Sequence, residues 1–164
     1  MRGKNNLIEF LNAKVEQYNQ PSFIESDPIS IPHQFSKKQD IEIAGFFAAI
    51  FSWGNRTTII NKSRELMLRM DNEPFQFIMG HSFKELKGLE GFKHRTFNED
   101  DLFYCIDFFK QYFQKHKSLE NAFSPIKGIS IEEGLINFRA CFFFFRTFET
   151  NGEAHFLSPS EIYL

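Results

Sequence analysis

Cysteine is scarce in this sequence. Its two cysteines, Cys105 and Cys141, lie far apart and form no Cys-x-x-Cys pair. This spacing excludes a disulfide framework and argues for a reducing compartment. Five histidines are present, but they show no metal-ligand spacing with one another or with cysteine, so we expect no metal site. The histidines are His33, His81, His94, His116 and His155.

An excess of charge of either sign is also absent. The chain has 19 basic and 21 acidic residues, which leaves a net charge of −2. No global electrostatic field therefore draws it to nucleic acid or to a membrane. Any affinity for DNA or RNA has to come from a local patch of basic residues.

No hydrophobic run is long enough to span a bilayer, which requires about 20 residues. The N-terminus has neither the apolar core nor the cleavage site of a signal peptide. We therefore expect a cytoplasmic protein without a membrane partner.

Two motifs of active-site chemistry are missing as well, the Gly-rich phosphate loop and the nucleophile elbow. The sequence accordingly predicts no cofactor and identifies no catalytic residue.

Phenylalanine, by contrast, is abundant, with 23 residues in a chain of 164. We interpret this abundance as a well-filled core, with base stacking as the alternative. Because no convincing alternating hydrophobic segment occurs, the sequence predicts an all-α fold. We expect a single orthogonal helical domain of about six to eight helices over residues 1–150, followed by an irregular tail at 151–164.

The helix predicted at residues 40–54 is the centre of this fold. Nearly every side chain between Ile43 and Trp53 is apolar. Such a helix has no face for water and belongs in the interior. Gly54 can end it, and Asn55 can cap the helix that follows.

Prolines and capping residues define the other segments. Three prolines favour extended geometry in residues 21–36, which we expect to form an ordered loop. Asn98 is a good N-cap for a helix that runs to about His116. Ser130 and Glu133 have the spacing of a capping box, which begins the last long helix.

Four consecutive phenylalanines, Phe142–Phe145, lie on that last helix. They cannot all face one neighbour. Either the helix is buried on nearly all sides, or these side chains dock a protein partner or a second copy of the chain.

The first candidate site is the corner at the end of the central helix, formed by Trp53, Gly54, Asn55 and Arg56. A base can stack on the ring of Trp53 while Arg56 binds a phosphate. The alternative is an ordinary helix–helix corner with a core tryptophan and a surface arginine.

The second candidate site is a basic loop that contains Lys93, His94 and Arg95. These side chains can contact phosphate groups, or the loop can be a solvated connection between helices. Asp100 and Asp101 follow. Because adjacent helical residues point about 100° apart, we interpret them as first-turn acids of a helix rather than as a general acid/base pair.

Four segments of the chain resemble an uncharacterised bacterial family known as domain of unknown function 2400. They are DPISIPHQF, DIEIAGFFAAIFSWGNRTTIINKSREL, HRTFNEDDL and SLENAF, and the resemblance covers about Phe23 to Phe145. That family in turn resembles the all-α helix-hairpin-helix DNA glycosylases in the order of its parts. These parts are a buried helix that ends in a polar turn, a second helix, and a loop followed by a long helix.

The resemblance implies that the turn from Trp53 to Arg56 faces DNA near the base pocket. The glycosylases commonly carry a glutamine in this turn, where the present chain has Ser-Trp-Gly-Asn, so their substrate is not transferred. Typical family members continue with a Lys/Arg-rich helix and a segment resembling the glycosylases' Asp-Thr-His stretch, which holds the catalytic aspartate. This sequence ends at Leu164. By resemblance it is truncated, and we expect no activity from it alone.

Three functional hypotheses remain open. The first is a helical nucleic-acid-binding module of DNA-glycosylase-like ancestry without the C-terminal catalytic segment, which places both basic segments on one face toward DNA or RNA. The second is a protein-interaction or scaffold domain, which predicts an exposed apolar patch around Phe142–Phe145. The third is an enzyme acting on a small molecule, which predicts a closed pocket at Trp53.

Overall fold

The structure of the protein is a computed structural model that describes residues 2–124 and 128–144, with backbone only for residues 2–5 and 144. Over these residues the chain is helical and has no β-strand, which confirms the all-α prediction. The α-helices are α1 (Arg2–Tyr18), α2 (Pro21–Ile24), α3 (Lys38–Ile50), α4 (Arg56–Arg69), α5 (Pro74–Gly80), α6 (Phe83–Lys87), α7 (Glu99–Lys115), α8 (Glu120–Phe123) and α9 (Ile131–Phe144). None of the described helices is both long and apolar enough to cross a membrane.

The chain divides into two compact units, the first ending at Asp100 and the second beginning at Asp101. The single domain expected over residues 1–150 stays a prediction. The irregular tail expected at residues 151–164 lies outside the described residues.

Helix α3 forms the centre of the first unit. It packs against α4, α5 and two 3-10 turns that precede it, Pro28–Ser30 and Pro32–Gln34. Ile43 and Phe47 are completely buried, and so is Phe51 directly after the helix. These residues confirm that the helix belongs to the core. The expectation that it has no face for water is wrong, because Ile41 and Ile50 are each 38% exposed and Ala49 is exposed as well.

Helix α3 ends at Ile50, earlier than predicted. The amide of Ser52 donates to the carbonyl of Ala49 at 3.1 Å, and the amide of Trp53 donates to that of Phe51 at 2.7 Å. Because these bonds reach back three and two residues instead of four, the chain has already left the α-helical path. Trp53 therefore belongs to a turn and not to the helix.

Asp40, in the first turn of α3, connects this helix to α5. Asp40 is only 8% exposed, and its Oδ1 accepts a hydrogen bond from the amide of Phe75 at 2.8 Å. Phe75 is the second residue of α5, and the first amides of a helix have no partner within it. Asp40 therefore caps α5 from a distant position in the sequence.

The proline-rich segment 21–36 differs from the expected loop. It folds into α2 and the two 3-10 turns, and a proline is the first residue of each. Proline at the first helical position sacrifices no hydrogen bond, and its fixed φ suits a helix. The extended geometry expected before proline is confined to Gln20 and Asp27, whereas Ile31 is helical.

Aromatic side chains from α7, α8 and α9 fill the second unit. The ring centroid of Phe108 lies 6.0 Å from that of Phe138 and 4.8 Å from that of Phe142. Phe123 stacks on Phe138 with centroids 4.2 Å apart. The predicted inner face of α7 is buried, which confirms that assignment; its residues are Leu102, Cys105, Ile106, Phe109 and Phe113.

Both predicted helix starts in this part of the chain are confirmed. Asn98 Oδ1 accepts a hydrogen bond from the amide of Asp100 at 2.7 Å. The capping box of α9 is formed, because Glu133 Oε2 accepts from the amide of Ser130 at 2.7 Å and Ser130 Oγ accepts from the amide of Glu133 at 3.2 Å. The hydrogen bonds from Ser130 lower the pKa of the Glu133 carboxyl.

The Phe142–Phe145 block is only partly within the described residues. Phe142 is 9% exposed, and its carbonyl accepts a hydrogen bond from the hydroxyl of Tyr104. Phe143 is 45% exposed. The side chain of Phe144 and all of Phe145 lie outside the described part of the chain.

Candidate functional site

The turn between α3 and α4 contains the first predicted group of site residues. Trp53 is 48% exposed, which argues against the alternative of a core tryptophan. Gly54 has a φ of +119°. Asn55 Oδ1 accepts a hydrogen bond from the amide of Thr58 at 3.3 Å, so Asn55 is the N-cap of α4, as predicted. Arg56 is the first residue of that helix.

The second predicted group lies in a tight turn. The amide of His94 donates to the carbonyl of Phe97 at 2.9 Å, and the amide of Phe97 donates back to His94 at 3.0 Å. Within this turn Arg95 has a φ of +56°. Lys93 and Arg95 are exposed, whereas His94 is only 3% exposed.

His94 connects the two turns on the inner side. Its Nε2 lies 3.1 Å from the carbonyl oxygen of Phe51, which requires Nε2 to carry the donated proton. The ring of Phe51 also contacts the rings of Phe92 and Phe97, at centroid distances of 5.6 Å and 5.1 Å. We therefore assign His94 to positioning the second turn rather than to the phosphate contact expected from the sequence, because its side chain is buried.

Arg95 connects the two turns on the outer side. Its Cζ lies 5.2 Å from the centroid of the Trp53 ring, within the range of a cation–π interaction. The same guanidinium lies against Gly54, where an added Cβ would come 2.1 Å from Nη2 and 2.5 Å from Nε. Glycine is therefore required at residue 54 both for its backbone conformation and for the close approach of Arg95.

The charges at this corner are predominantly positive. Arg56 is 55% exposed at its side chain, its Nε lies 3.9 Å from Asp27 Oδ2, and its Cζ lies 5.5 Å from the centroid of the Phe23 ring. A pair this long, with its arginine more than half exposed, contributes little to stability, although the Asp27 carboxylate offsets part of the charge of Arg56. Arg95 has no carboxylate partner among the residues that the structure describes. Both neighbours of Arg56 come from the proline-rich segment, and the sequence carries no local signal that places them there.

Two further basic residues of α4 serve a structural purpose. Lys62 and Arg69 each lie 2.7 Å from a carboxylate oxygen of Glu65. Burial alone would raise the pKa of Glu65, but the hydrogen bonds and charges of these two cations lower it. Both also lie over the ring of Phe92, and Arg69 donates to the carbonyl of Glu90 at 3.1 Å. They therefore hold the segment before the second turn against α4.

A concave apolar site of about 470 Å³ is present elsewhere in the first unit. Its lining residues are Ile29, Pro32, His33, Phe35, Ile41 and Gly45. Since Trp53 is not among them, this cavity gives no support to a small-molecule pocket at Trp53.

No three His, Cys, Asp or Glu side chains of the described residues come together as a metal site would require.

Comparison with known proteins identifies the family of the chain. No curated protein and no solved structure matches it. The sequence model of one family, described as "Protein of unknown function (DUF2400)", matches residues 27–162, a range that includes both turns. Because this match covers most of the chain, the protein belongs to that family of unknown function.

Proposed function

We propose that this chain is a helical nucleic-acid-binding module. Its binding site is the two-turn surface, which we define as Trp53, Gly54, Arg56, Lys93 and Arg95. The observation that carries the proposal is the cation–π contact between Arg95 and Trp53. This contact joins two segments that are distant in sequence into one surface with an exposed aromatic ring and exposed cations.

Each component of the two-turn surface suits a nucleic acid. Arginine and lysine bind phosphate oxygens, which positions a protein on a strand without reading its sequence. An exposed indole offers a face on which a base can stack. The first turn also begins α4, whose N-terminal end carries the positive end of the helix dipole. Because the net charge of the chain is −2, we expect local attraction that is sensitive to salt.

The residues predicted from the sequence do not contribute equally to the proposed binding of nucleic acid. Arg95 and Lys93 are the principal phosphate contacts in this proposal, while Arg56 is weakened by its pairing with Asp27. The oxygen of the Asn55 side chain is occupied by the cap of α4, which leaves its amide nitrogen for a ligand. His94 acts indirectly, by holding the second turn in place.

Ancestry shared with the helix-hairpin-helix DNA glycosylases forms part of this proposal. The resemblance places a polar turn after a buried helix against DNA, and in this chain the corresponding turn follows α3. The proposal concerns binding, and it assigns neither a reaction nor a catalytic residue to this chain.

The test is fluorescence anisotropy with labelled single-stranded DNA, duplex DNA and RNA over a series of salt concentrations. We expect binding that weakens as salt rises. The Arg95→Ala variant should bind more weakly and should reduce the slope of log affinity against log salt by about one. The Arg56→Ala variant should show a smaller loss of affinity, because Asp27 already offsets part of its charge.

The matched control is Lys84→Ala, which removes the same charge from an exposed position on α6, outside both turns. It should leave affinity almost unchanged. An equal loss for Lys84→Ala and Arg95→Ala would mean that only net charge matters and would refute the proposed site. Absence of binding at low salt by a folded sample would refute the proposed function.

A second candidate function is docking of another protein, and the exposure of α9 favours it. Ile131 is 86% exposed, Leu135 57% and Ile136 60%, an unusual apolar surface for a solvent-facing helix. Phe142 is packed within its unit, so this surface differs from the docking surface expected at Phe142–Phe145. Sedimentation velocity of the chain alone tests the case in which the docked protein is a second copy of the chain. Self-association abolished by Leu135→Glu but retained by Arg95→Ala would support docking through α9.

A further inference from the structure

The exposed ring of Trp53 carries an inference about the kind of nucleic acid. We infer that the two-turn surface takes a single strand, and that an unpaired base stacks on Trp53. This inference rests on the proposed function and deepens it. A duplex, whose bases are already stacked on one another, is expected to bind less tightly.

Trp53 is available to a flat ligand in a way that a core aromatic is not. Nearly half of the residue, 48%, is exposed. Within the described part of the chain no other aromatic ring contacts it, and its partner is the guanidinium of Arg95, with Cζ 5.2 Å from the ring centroid. Because Trp53 stays 48% exposed with Arg95 in place, we expect a base to add to the part of the residue that Arg95 leaves open.

This geometry fits an unpaired base better than a base pair. In a duplex the bases present their edges to the grooves, and their faces are stacked inside. An unpaired base presents a π-face, which stacks on an aromatic side chain whatever the identity of the base. The side chain shown next to the ring is the cation Arg95, and contacts of cations with phosphates carry no sequence information. We therefore expect little dependence on base sequence.

Arg95 also fixes the ring before a ligand arrives. Its guanidinium lies against the backbone of Gly54 and over the Trp53 ring, a contact that favours this orientation of the indole. A ring that is already ordered loses less conformational entropy when a base stacks on it. Arg95 is accordingly expected to contribute to base stacking as well as to phosphate binding.

The experiment follows the emission of Trp53, which reports on this site alone because the chain has one tryptophan. The ligands are an oligothymidylate, an oligomer of equal length made of abasic nucleotides, and a duplex of equal length. The abasic oligomer carries the same phosphates without bases. We expect the oligothymidylate to quench the emission and to bind at least about fivefold more tightly than the abasic oligomer. We expect it to bind more tightly than the duplex as well.

Three variants, measured by anisotropy, separate stacking from charge. Trp53→Ala should lower the affinity for oligothymidylate to that for the abasic oligomer, with the salt slope unchanged. Trp53→Phe should retain most of the preference for bases, because a phenyl ring still stacks. Arg95→Ala should weaken binding to all three ligands.

The outcomes distinguish this inference from the proposed function. Equal affinity for oligothymidylate and the abasic oligomer, or tighter binding of the duplex, would overturn the inference. If Arg95→Ala still weakened salt-dependent binding, the proposed function would stand. Failure of all three ligands to bind would overturn both. If Trp53→Ala does not fold, the inference is tested by comparing oligothymidylate, the abasic oligomer and the duplex on the unmodified chain and on Trp53→Phe.

Discussion

Replacement of Gly54 by alanine is expected to damage the site in two ways. The φ of +119° at Gly54 is a conformation that residues with a Cβ rarely adopt. In addition, the new Cβ would lie 2.1 Å from Nη2, 2.5 Å from Nε and 2.6 Å from Cζ of Arg95. A Cβ essentially never comes within 3.0 Å of such an atom. The guanidinium must therefore move away from residue 54, and we expect it to lose its contact with Trp53.

The expected cost in unfolding free energy follows from these two contributions. Backbone strain at a conformation that requires glycine costs about 1–3 kcal/mol. Loss of an exposed cation–π contact costs about 0.5–1 kcal/mol. Together these contributions lead us to expect that Gly54→Ala lowers the stability by about 1.5–4 kcal/mol, a substantial share of the roughly 5–15 kcal/mol typical of a protein.

Urea unfolding followed by circular dichroism measures this loss, and the emission of Trp53 in the native state reports the departure of Arg95. Gly80→Ala is the matched control, because its φ is ordinary and, apart from its chain neighbours and the backbone of its own helix, no described atom lies within 4 Å of the new Cβ. It should not destabilise the protein and can stabilise it by up to about 1 kcal/mol. The double variant Gly54→Ala with Arg95→Ala removes the clash but keeps the strain, so its loss should be smaller than the sum of the single losses.

A loss below about 0.5 kcal/mol for Gly54→Ala, together with unchanged Trp53 emission, would refute this reasoning. Strict additivity in the double variant would show that the guanidinium does not lie against residue 54.

Three further predictions concern other parts of the chain. Asp40→Ala removes the cap on the Phe75 amide and should lower the unfolding free energy, measured with urea, by about 1–2 kcal/mol. Asp40→Asn keeps an acceptor and should lower it less. Equal losses of stability in the two variants would contradict the cap. The pKa of Glu65 is lowered from 4.5, so its carboxylate stabilises the fold above pH 4.5 and this stabilisation is lost as the pH falls. The difference in Tm between the unmodified chain and Glu65→Gln should therefore shrink from about pH 6 to about pH 3. A constant difference in Tm would contradict this prediction. Burial raises the pKa of Cys105 to about 12, so a maleimide should label Cys141 first in the native protein and both thiols after unfolding; rapid labelling of both in the native state would contradict this.

The parts of the fold that the sequence predicted well depend on local pattern. The run around Phe47 is apolar on all sides, which leaves an interior helix as its stable placement. The caps at Asn55, Asn98 and Ser130 are likewise local, because each side chain bonds to an amide two or three residues ahead. Such contacts can be inferred from spacing alone.

The proline-rich segment shows a limit of this local reasoning. Proline favours extended geometry in the residue before it and also suits the first position of a helix. The sequence does not reveal whether the extended residue continues a loop or directly precedes a helical segment. In the structure Gln20 and Asp27 are extended and directly precede such segments, and Pro21, Pro28 and Pro32 each begin one.

The arrangement of the candidate site depends on contacts between distant residues. Arg95 reaches Trp53 only because the second turn places Arg95 at a positive φ and because Gly54 leaves space for its guanidinium. His94 lies between two basic neighbours and resembles a solvated residue in the sequence, yet it is buried against Phe51. Neither placement has a local signal, so the sequence could name the members of the two-turn surface but not their roles.

The measurement that most directly tests the central claim is a titration of the isotopically labelled chain with a single-stranded oligonucleotide, followed by two-dimensional NMR. The one indole N–H signal, from Trp53, and the amide signals of residues 53–56 and 93–97 are predicted to shift together as ligand is added. The amides of α9 are predicted to stay unchanged. Shifts confined to α9, or saturating binding that leaves the Trp53 indole signal in place, would contradict the assignment of the two-turn surface as the nucleic-acid site.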